Sequence, residues 1–359
     1  MGYPADLLGA GADAAGPPAG VSAPNPPRPV GVGPRAPTAR ALSVGKLRGL
    51  QQCADPKGVF VLLALDHRRN LRRLHPMFAS EAELVRFKVE VTRELAPSAT
   101  GVLLDPEYGA AQAVAAGALP GDRGLVVALE ATGYSAEAMS GRPQLLEGWS
   151  VEKAKRMGAQ MAKLLVRYHP EAPGAGEVEA LVAQVAAECV RFDLALMIEP
   201  LVASGALFPA EKNRAAVEAA RRLSAIPGVD LLKMEFPASP EATDEEAAAV
   251  CAELSAASRV PWVLLSAAVD FETYQRQVEI ACRAGASGVA VGRAVWQEAA
   301  QLSGPARLEF LRTAARERLE RLRAVVRALA RPFTDFYTAE APLGWYRAYS
   351  TYPNPNEEA

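Results

Sequence analysis

Histidine is scarce in this chain: His67, His75 and His169 are the only three in 359 residues. No two of them share the helical spacing of a metal-ligand pair, so no histidine-bound catalytic zinc is expected. Cysteine is almost as rare. Cys53, Cys189, Cys251 and Cys282 are scattered without a CxxC pair. Cys189, Cys251 and Cys282 fall in helix-like segments rich in Ala and Val, where a reduced, buried thiol behaves as a small apolar residue; this points to the cytoplasm. No apolar stretch has the length of a transmembrane helix. The N-terminus lacks the basic start and apolar run of a secretory signal. There is no GxGxxG loop after the first strand-like run, which argues against a dinucleotide site, and no cofactor is expected. A net charge of -2 leaves no footprint for nucleic acid or an anionic membrane.

What is present is apolar bulk: 50% of the chain is hydrophobic and 22% charged, enough for a large core. Residues 1–40 are the exception. Their Ala, Gly and Pro cannot hold a helix or pack, so they are expected to form a disordered extension. From Leu42 to Cys53 the pattern is a short helix. Eight short apolar runs then alternate with helical segments, at Val59–Asp66, Gly101–Asp105, Leu125–Glu130, Met161–Tyr168, Leu194–Pro200, Leu231–Phe236, Trp262–Ala267 and Gly288–Arg293. Ser80 with Glu83 reads as a capping box opening one helix, and Ser150 as the cap of another. Pro305–Leu329 is a long charged helix. Eight buried strands, each followed by a helix, predict a (β/α)₈ TIM barrel over residues 41–330. A doubly wound open sheet is the competing architecture. Residues 331–359 are expected to form a tail that packs on the barrel or on a neighbouring subunit, and a homo-oligomer fits that reading.

Active sites of such barrels lie at the C-terminal strand ends. The polar residues that collect there are Asp66, Asp105, Glu107, Glu130, Lys163, Glu199, Lys233, Ser266, Gly292 and Arg293. Lys233 lies inside V-D-L-L-K-M-E-F-P, a run apolar on both sides. A lysine in such a place needs compensation, and a buried amine is the tool for attacking a carbonyl to form a Schiff base. Lys163 as a neighbouring cation would tune Lys233, and Glu199 would shuttle protons. The competing reading is a structural ion triad. Gly292-Arg293 at the eighth strand end fits a phosphate site; the competing reading pairs Arg293 with Glu298.

The stretches LALDHR, LLDPEYG, ALEATGY, LLEGWSVEKAKRMGAQMAKLLVRYHP, IEPL, LLKMEFP and LSAAVDFETYQRQVEIACRAGASGVAVGRAVW resemble the tagatose-1,6-bisphosphate aldolase family, which includes the sulfofructosephosphate aldolases. The likeness runs from about Leu47 to the Trp345-Tyr346 region. It implies a class I, metal-independent aldolase that reversibly cleaves a phosphorylated ketose to dihydroxyacetone phosphate and an aldehyde. By the same resemblance Lys233 is the Schiff-base lysine, Glu199 the proton-transferring acid, Lys163 the second lysine and Asp66 the acid after strand one. Ser266, Ala267, Ala268, Gly292 and Arg293 fall on its phosphate-binding segments. Two departures stand out. His67 follows Asp66 where the family often has Gln, and Ala268 stands where it usually has Gly. A sulfonated substrate and a catalytically idle sugar-phosphate-binding barrel are the alternatives.

Overall fold

The computed structural model describes residues 39–131, 144–202, 209–239 and 241–349. Of the extension read from residues 1–40, residues 1–38 lie outside them. Eight parallel strands close into a barrel in chain order: β1 (Phe60–Leu65), β2 (Gly101–Leu104), β3 (Gly124–Ala128), β4 (Met161–Arg167), β5 (Ala195–Leu201), β6 (Leu231–Met234), β7 (Trp262–Leu265) and β8 (Gly288–Val291). The strands are short and almost continuously apolar because helices cover their outer face while side chains fill the interior. Each fully buried Leu, Val or Phe contributes roughly 1.5–3 kcal/mol relative to exposure.

Closure needs β8 to start hard against β1. Gly288 pairs with Phe60 at a φ of +139°, and a Cβ there would lie 1.9 Å from the Phe60 carbonyl oxygen. Only glycine fits that position.

The chain enters through α1 (Val44–Cys53), capped by the Ser43 hydroxyl, which accepts from Lys46 N–H at 3.3 Å. This helix packs at the N-terminal ends of β3, β4 and β5. Lys46 on it reaches Asp230, 2.7 Å away, and the Gly228 carbonyl, 2.9 Å away. From the other end of the chain, Phe333 packs on Phe60 with ring centroids 5.4 Å apart, and the Tyr337 hydroxyl donates to the Asp230 carbonyl at 2.6 Å. Arg40–Ala41 pairs in parallel with Tyr337–Thr338.

Helix α2 (Arg69–Leu74) and a 3₁₀ turn lead into α3 (Glu81–Leu95). The capping box expected at its start is not formed. Ser80 makes no side-chain cap, because its N–H closes the preceding turn on Met77 O at 3.2 Å and Glu83 pairs with Arg86 at 2.9 Å. A capping box does form at Thr243 and Glu246, opening the helix Asp244–Ala257. Ser150 caps its helix as read, accepting from Lys153 N–H at 3.2 Å. The long C-terminal helix is interrupted by a π turn at Leu311–Ala315, between Gly304–Phe310 and Arg316–Leu329. Among the described residues no helix is long and apolar enough to cross a membrane, and all four cysteines are free and buried.

Candidate active site

Side chains alternate faces along a strand. With Lys163 paired to Met197 across β4 and β5, and Met197 to Leu231 across β5 and β6, Glu199 and Lys233 are each two residues further along on the same inward face. Lys163 therefore starts one layer deeper and reaches upward, whereas Lys233 is level with Glu199. Lys163 is wholly inaccessible, and Lys233 keeps 5% of its surface exposed.

The Glu199 carboxylate bridges the two lysines. One oxygen lies 2.7 Å from Lys233 Nζ, the other 2.8 Å from Lys163 Nζ. Lys163 also donates to Asp66 Oδ2 at 2.8 Å and to Glu130 Oε1 at 2.7 Å. The second Glu130 oxygen accepts from Leu165 N–H at 3.1 Å, which locks that carboxylate to β4. Lys163, the cation beside Lys233, is thus enclosed by three carboxylates. Burial alone would push its pKa down, but Asp66, Glu130 and Glu199 outweigh burial and hold it well above the ordinary lysine range. Glu199 is the mirror case. Burial would raise its pKa, and the ammonium groups of Lys163 and Lys233 bring it below the usual glutamate value. Asp66 likewise overcomes its burial through Lys163, Lys233 and His67 and stays well below its usual value. The acids are ionised because the lysines are there.

Around this cluster stands a second layer of charge. Arg68, after β1, donates to Glu107 at 2.5 Å and to the Glu130 carbonyl at 2.7 Å. Lys88 on α3 is fully buried and pairs with Asp105 at the end of β2; burial lowers its pKa despite that partner. Asp105 also accepts from the N–H groups of Glu107 at 3.1 Å and Tyr108 at 2.8 Å. Sequence reasoning collected Glu130 and Asp105 as strand-end acids but missed Arg68 and Lys88. Lys88 did leave a signal: it stands on the apolar face of α3 with Leu84, Val91 and Leu95, where a lysine has no reason to be unless paired.

The remaining site residues form the rim over β7, β8 and β1. Ser266 is buried, and its carbonyl accepts from Val269 N–H at 3.0 Å. Between them Ala267 and Ala268 both have positive φ, +43° and +65°, so the rim opens with a type I′-like turn. Gly292 lies against His67: a Cβ on Gly292 would come within 3.1 Å of His67 Cε1 and 3.0 Å of the Ala64 carbonyl oxygen. Arg293 does not pair with Glu298, which Arg318 takes bidentately at 2.7 and 2.9 Å. The Arg293 guanidinium has no hydrogen-bond or ion-pair partner among the described residues. Burial lowers its pKa, while Asp66 and Glu199 pull it the other way. Among the described residues no three His, Cys, Asp or Glu side chains are arranged to hold a metal ion. The three acids that do converge, Asp66, Glu130 and Glu199, converge on an ammonium.

Comparison with known proteins identifies the family and the fold. The sequence-family profile described as DeoC/LacD family aldolase matches residues 60–298. The chain is 31% identical over 325 residues to the tagatose 1,6-diphosphate aldolase 2 of Streptococcus mutans, spanning 82% of this chain and 98% of that protein. It is 32% identical to the tagatose 1,6-diphosphate aldolase of Listeria monocytogenes, over 87% and 96% of the two chains. Among solved structures, the fructose-bisphosphate aldolase of Plasmodium falciparum superposes with a TM-score of 0.62 at 13% identity, over 82% of this chain and 98% of that one. A Schiff-base-forming fructose-1,6-bisphosphate aldolase gives 0.51 at 21% identity, over 75% and 98%. At those identities the two structures speak for the barrel fold, and the sequence relatives for the family: the chain is a member of the DeoC/LacD family of aldolases.

Proposed function

We propose that this aldolase works through a Schiff base on Lys233 and reversibly cleaves a phosphorylated ketose similar to tagatose 1,6-bisphosphate, giving dihydroxyacetone phosphate and an aldehyde. The observation that carries this reading is the single carboxylate of Glu199 held between two buried lysines, 2.7 Å from one and 2.8 Å from the other. The lysines are not equivalent. Lys163 faces three acids and is held as an ammonium, so it has no lone pair to offer. Lys233 faces one acid, to which it can pass a proton directly.

The steps balance on that one acid. Glu199 takes a proton from the Lys233 ammonium, and the free amine attacks the C2 ketone of the sugar. Protonated Glu199 returns its proton to the departing hydroxyl of the carbinolamine; water leaves and an iminium forms. Glu199, again a carboxylate, takes the C4 hydroxyl proton. The C3–C4 bond breaks, its electron pair flows into the iminium, and the aldehyde departs. The proton on Glu199 then goes to C3 of the enamine, and hydrolysis frees the second product and Lys233. Lys163 keeps Glu199 ionised and aimed between these steps, and Asp66 holds Lys163 and a substrate hydroxyl. Ser266, Ala267, Ala268, Gly292, Arg293 and His67 form the cradle for a substrate phosphate. Binding energy from that remote phosphate lowers the barrier at C3–C4.

Borohydride reduction in the presence of ketose bisphosphates, followed by a peptide map, tests the reading. A sugar-derived mass on the peptide carrying Lys233 is expected. The same mass on the Lys163 peptide alone would reverse the assignment, and no adduct from any ketose phosphate would leave a sugar-phosphate-binding barrel.

A further inference from the structure

His67 stands out at the rim. Its Nδ1 is buried and has no hydrogen-bond partner. An unpaired buried nitrogen is a cost that native structures retain for a reason. The ring is wedged edge-on against Trp296, with centroids 5.3 Å apart, and its Cε1 touches Gly292. Four charged groups act on the ring most strongly. Asp66, at the end of β1, has Oδ1 3.9 Å from Nδ1, too far for a hydrogen bond. Arg293 after β8, Lys233 on β6 and Lys88 on α3 are the cations that face it. Lys233 and Lys88 are already met by Glu199 and Asp105, so Arg293 is the cation of this corner left without an ion-pair partner among the described residues.

We propose that His67 is the second wall of the anion site: a tetrahedral oxyanion of the substrate, phosphate or sulfonate, seats beside Arg293 and Gly292, and its binding drives a proton onto His67. The inference rests on the anion site proposed above and adds a coupled proton to it. Among the protein's own groups burial, chiefly, depresses His67 to about 4, against the pull of Asp66. An oxyanion within about 4–6 Å of the ring, doubly charged as phosphate or sulfate and singly charged as sulfonate, works against that balance, because a nearby opposite charge favours the charged form. The imidazolium then has two N–H groups to place. One closes on Asp66, which ends the isolation of Nδ1, and the other faces the anion. Glutamine can hydrogen-bond an oxyanion but cannot carry this proton.

The sign follows from linkage. The pKa in the complex lies above that in the empty site, so affinity is highest at low pH. It falls by up to about tenfold per pH unit until the raised pKa is passed, and is flat above it.

The scarcity of histidine makes a direct test practical. Protein labelled with carbon-13 at the histidine Cε1 gives three imidazole resonances, one each from His67, His75 and His169. The His67→Gln variant identifies the signal; if that variant does not fold, His75→Gln and His169→Gln identify it by elimination. The probe is sulfate, a dianion that does not itself titrate near neutral pH. At pH about 6 the His67 signal is expected at its neutral position without sulfate and at its imidazolium position with saturating sulfate. The other two should not move. Arg293→Ala should abolish the response. A His67 signal that stays neutral while calorimetry shows sulfate bound, a response that survives Arg293→Ala, or no sulfate binding at all would each overturn the proposal. The borohydride adduct on Lys233 is read separately. An adduct without the His67 response removes only this inference, and the response without an adduct removes only the Schiff-base reading.

Discussion

The two ends of the barrel each bury lysine against acid, and they do it differently. At the N-terminal end Lys46 meets one acid, Asp230, and every group is met in return. Lys46 also donates to the Gly228 carbonyl, and Asp230 Oδ2 also accepts from Leu196 N–H at 2.9 Å. Burial still leaves the Asp230 pKa raised, despite Lys46. That pair is self-contained and ties α1 to the strands it covers. At the C-terminal end the sums do not close. Glu199 is shared by two lysines, and among the described residues neither Arg293 nor His67 Nδ1 has a hydrogen-bond partner. A closed network can only hold a shape. An open one has protons to move and charge to offer, and that difference is why we propose the C-terminal end for the chemistry.

The comparison breaks most visibly at Lys233. Lys233→Met should lower kcat by about 10⁴-fold or more, since no covalent intermediate can form, and should abolish the borohydride adduct. Lys163→Met should also slow turnover, but by a different route. It strips the cation from three carboxylates, so the pKa of Glu199 rises and the acid limb of the pH–rate profile moves to higher pH. An unmoved acid limb in Lys163→Met would mean that Glu199 is not the base.

The closed end should answer with stability and not with rate. Lys46→Met leaves Asp230 buried without its ammonium, which costs about 3–5 kcal/mol by analogy with other broken buried pairs. Chemical denaturation measures it. The deficit should shrink as pH falls, because a protonated Asp230 needs no counter-ion, and grow as pH rises through the folded-state pKa of Asp230. The folded fraction should keep its KM. A large change in KM with little change in stability would place Lys46 in the reaction after all.

Between these lies Arg293. Arg293→Ala should raise KM for phosphorylated substrates by about 10- to 100-fold, the value of a charge-assisted contact of roughly 1.5–3 kcal/mol, and leave unphosphorylated sugars nearly untouched. Equal losses for both would make the arginine a structural residue.

How far the sequence carried depends on the scale of the signal. The barrel was legible because eight apolar runs alternate with helices, a pattern no single residue can disguise. Lys233 and Glu199 were legible because a charge inside an apolar strand has few explanations. The enclosure of Lys163 was not, since Asp66, Glu130 and Glu199 come from three other strands and only the barrel's register brings them to one ammonium. Arg68 lies in a loop, where a charge is ordinary and periodicity is silent, so its pairing with Glu107 was not foreseen. The capping box at Ser80 failed for a local reason: the Pro76–Ala79 turn claimed its backbone first. The strained turn at Ala267-Ala268 was not legible from composition, because alanine does not mark positive φ as glycine does; the one hint was the resemblance, in which Ala268 stands where the family usually has Gly.

That pair supplies the smallest and cleanest test. A left-handed φ costs a non-glycine residue about 1–2 kcal/mol, and the glycine that would relieve it gives back roughly 0.4–1 kcal/mol through its freer unfolded chain. Ala268→Gly, at φ +65°, and Ala267→Gly, at φ +43°, should therefore each stabilise the protein, by about 0.5–1 kcal/mol. Ala267 is exposed, so its methyl has no packing to lose and its gain should be the purer measure of backbone strain. Ala268 is half-buried at the rim of the proposed anion site. If its methyl also crowds the oxyanion, Ala268→Gly lowers KM for a phosphorylated ketose while Ala267→Gly leaves it unchanged. A loss of stability in Ala267→Gly would show that the turn does not store strain. Gains in stability from both variants, with identical KM, would place the anion elsewhere on the rim, nearer Arg293 than the turn.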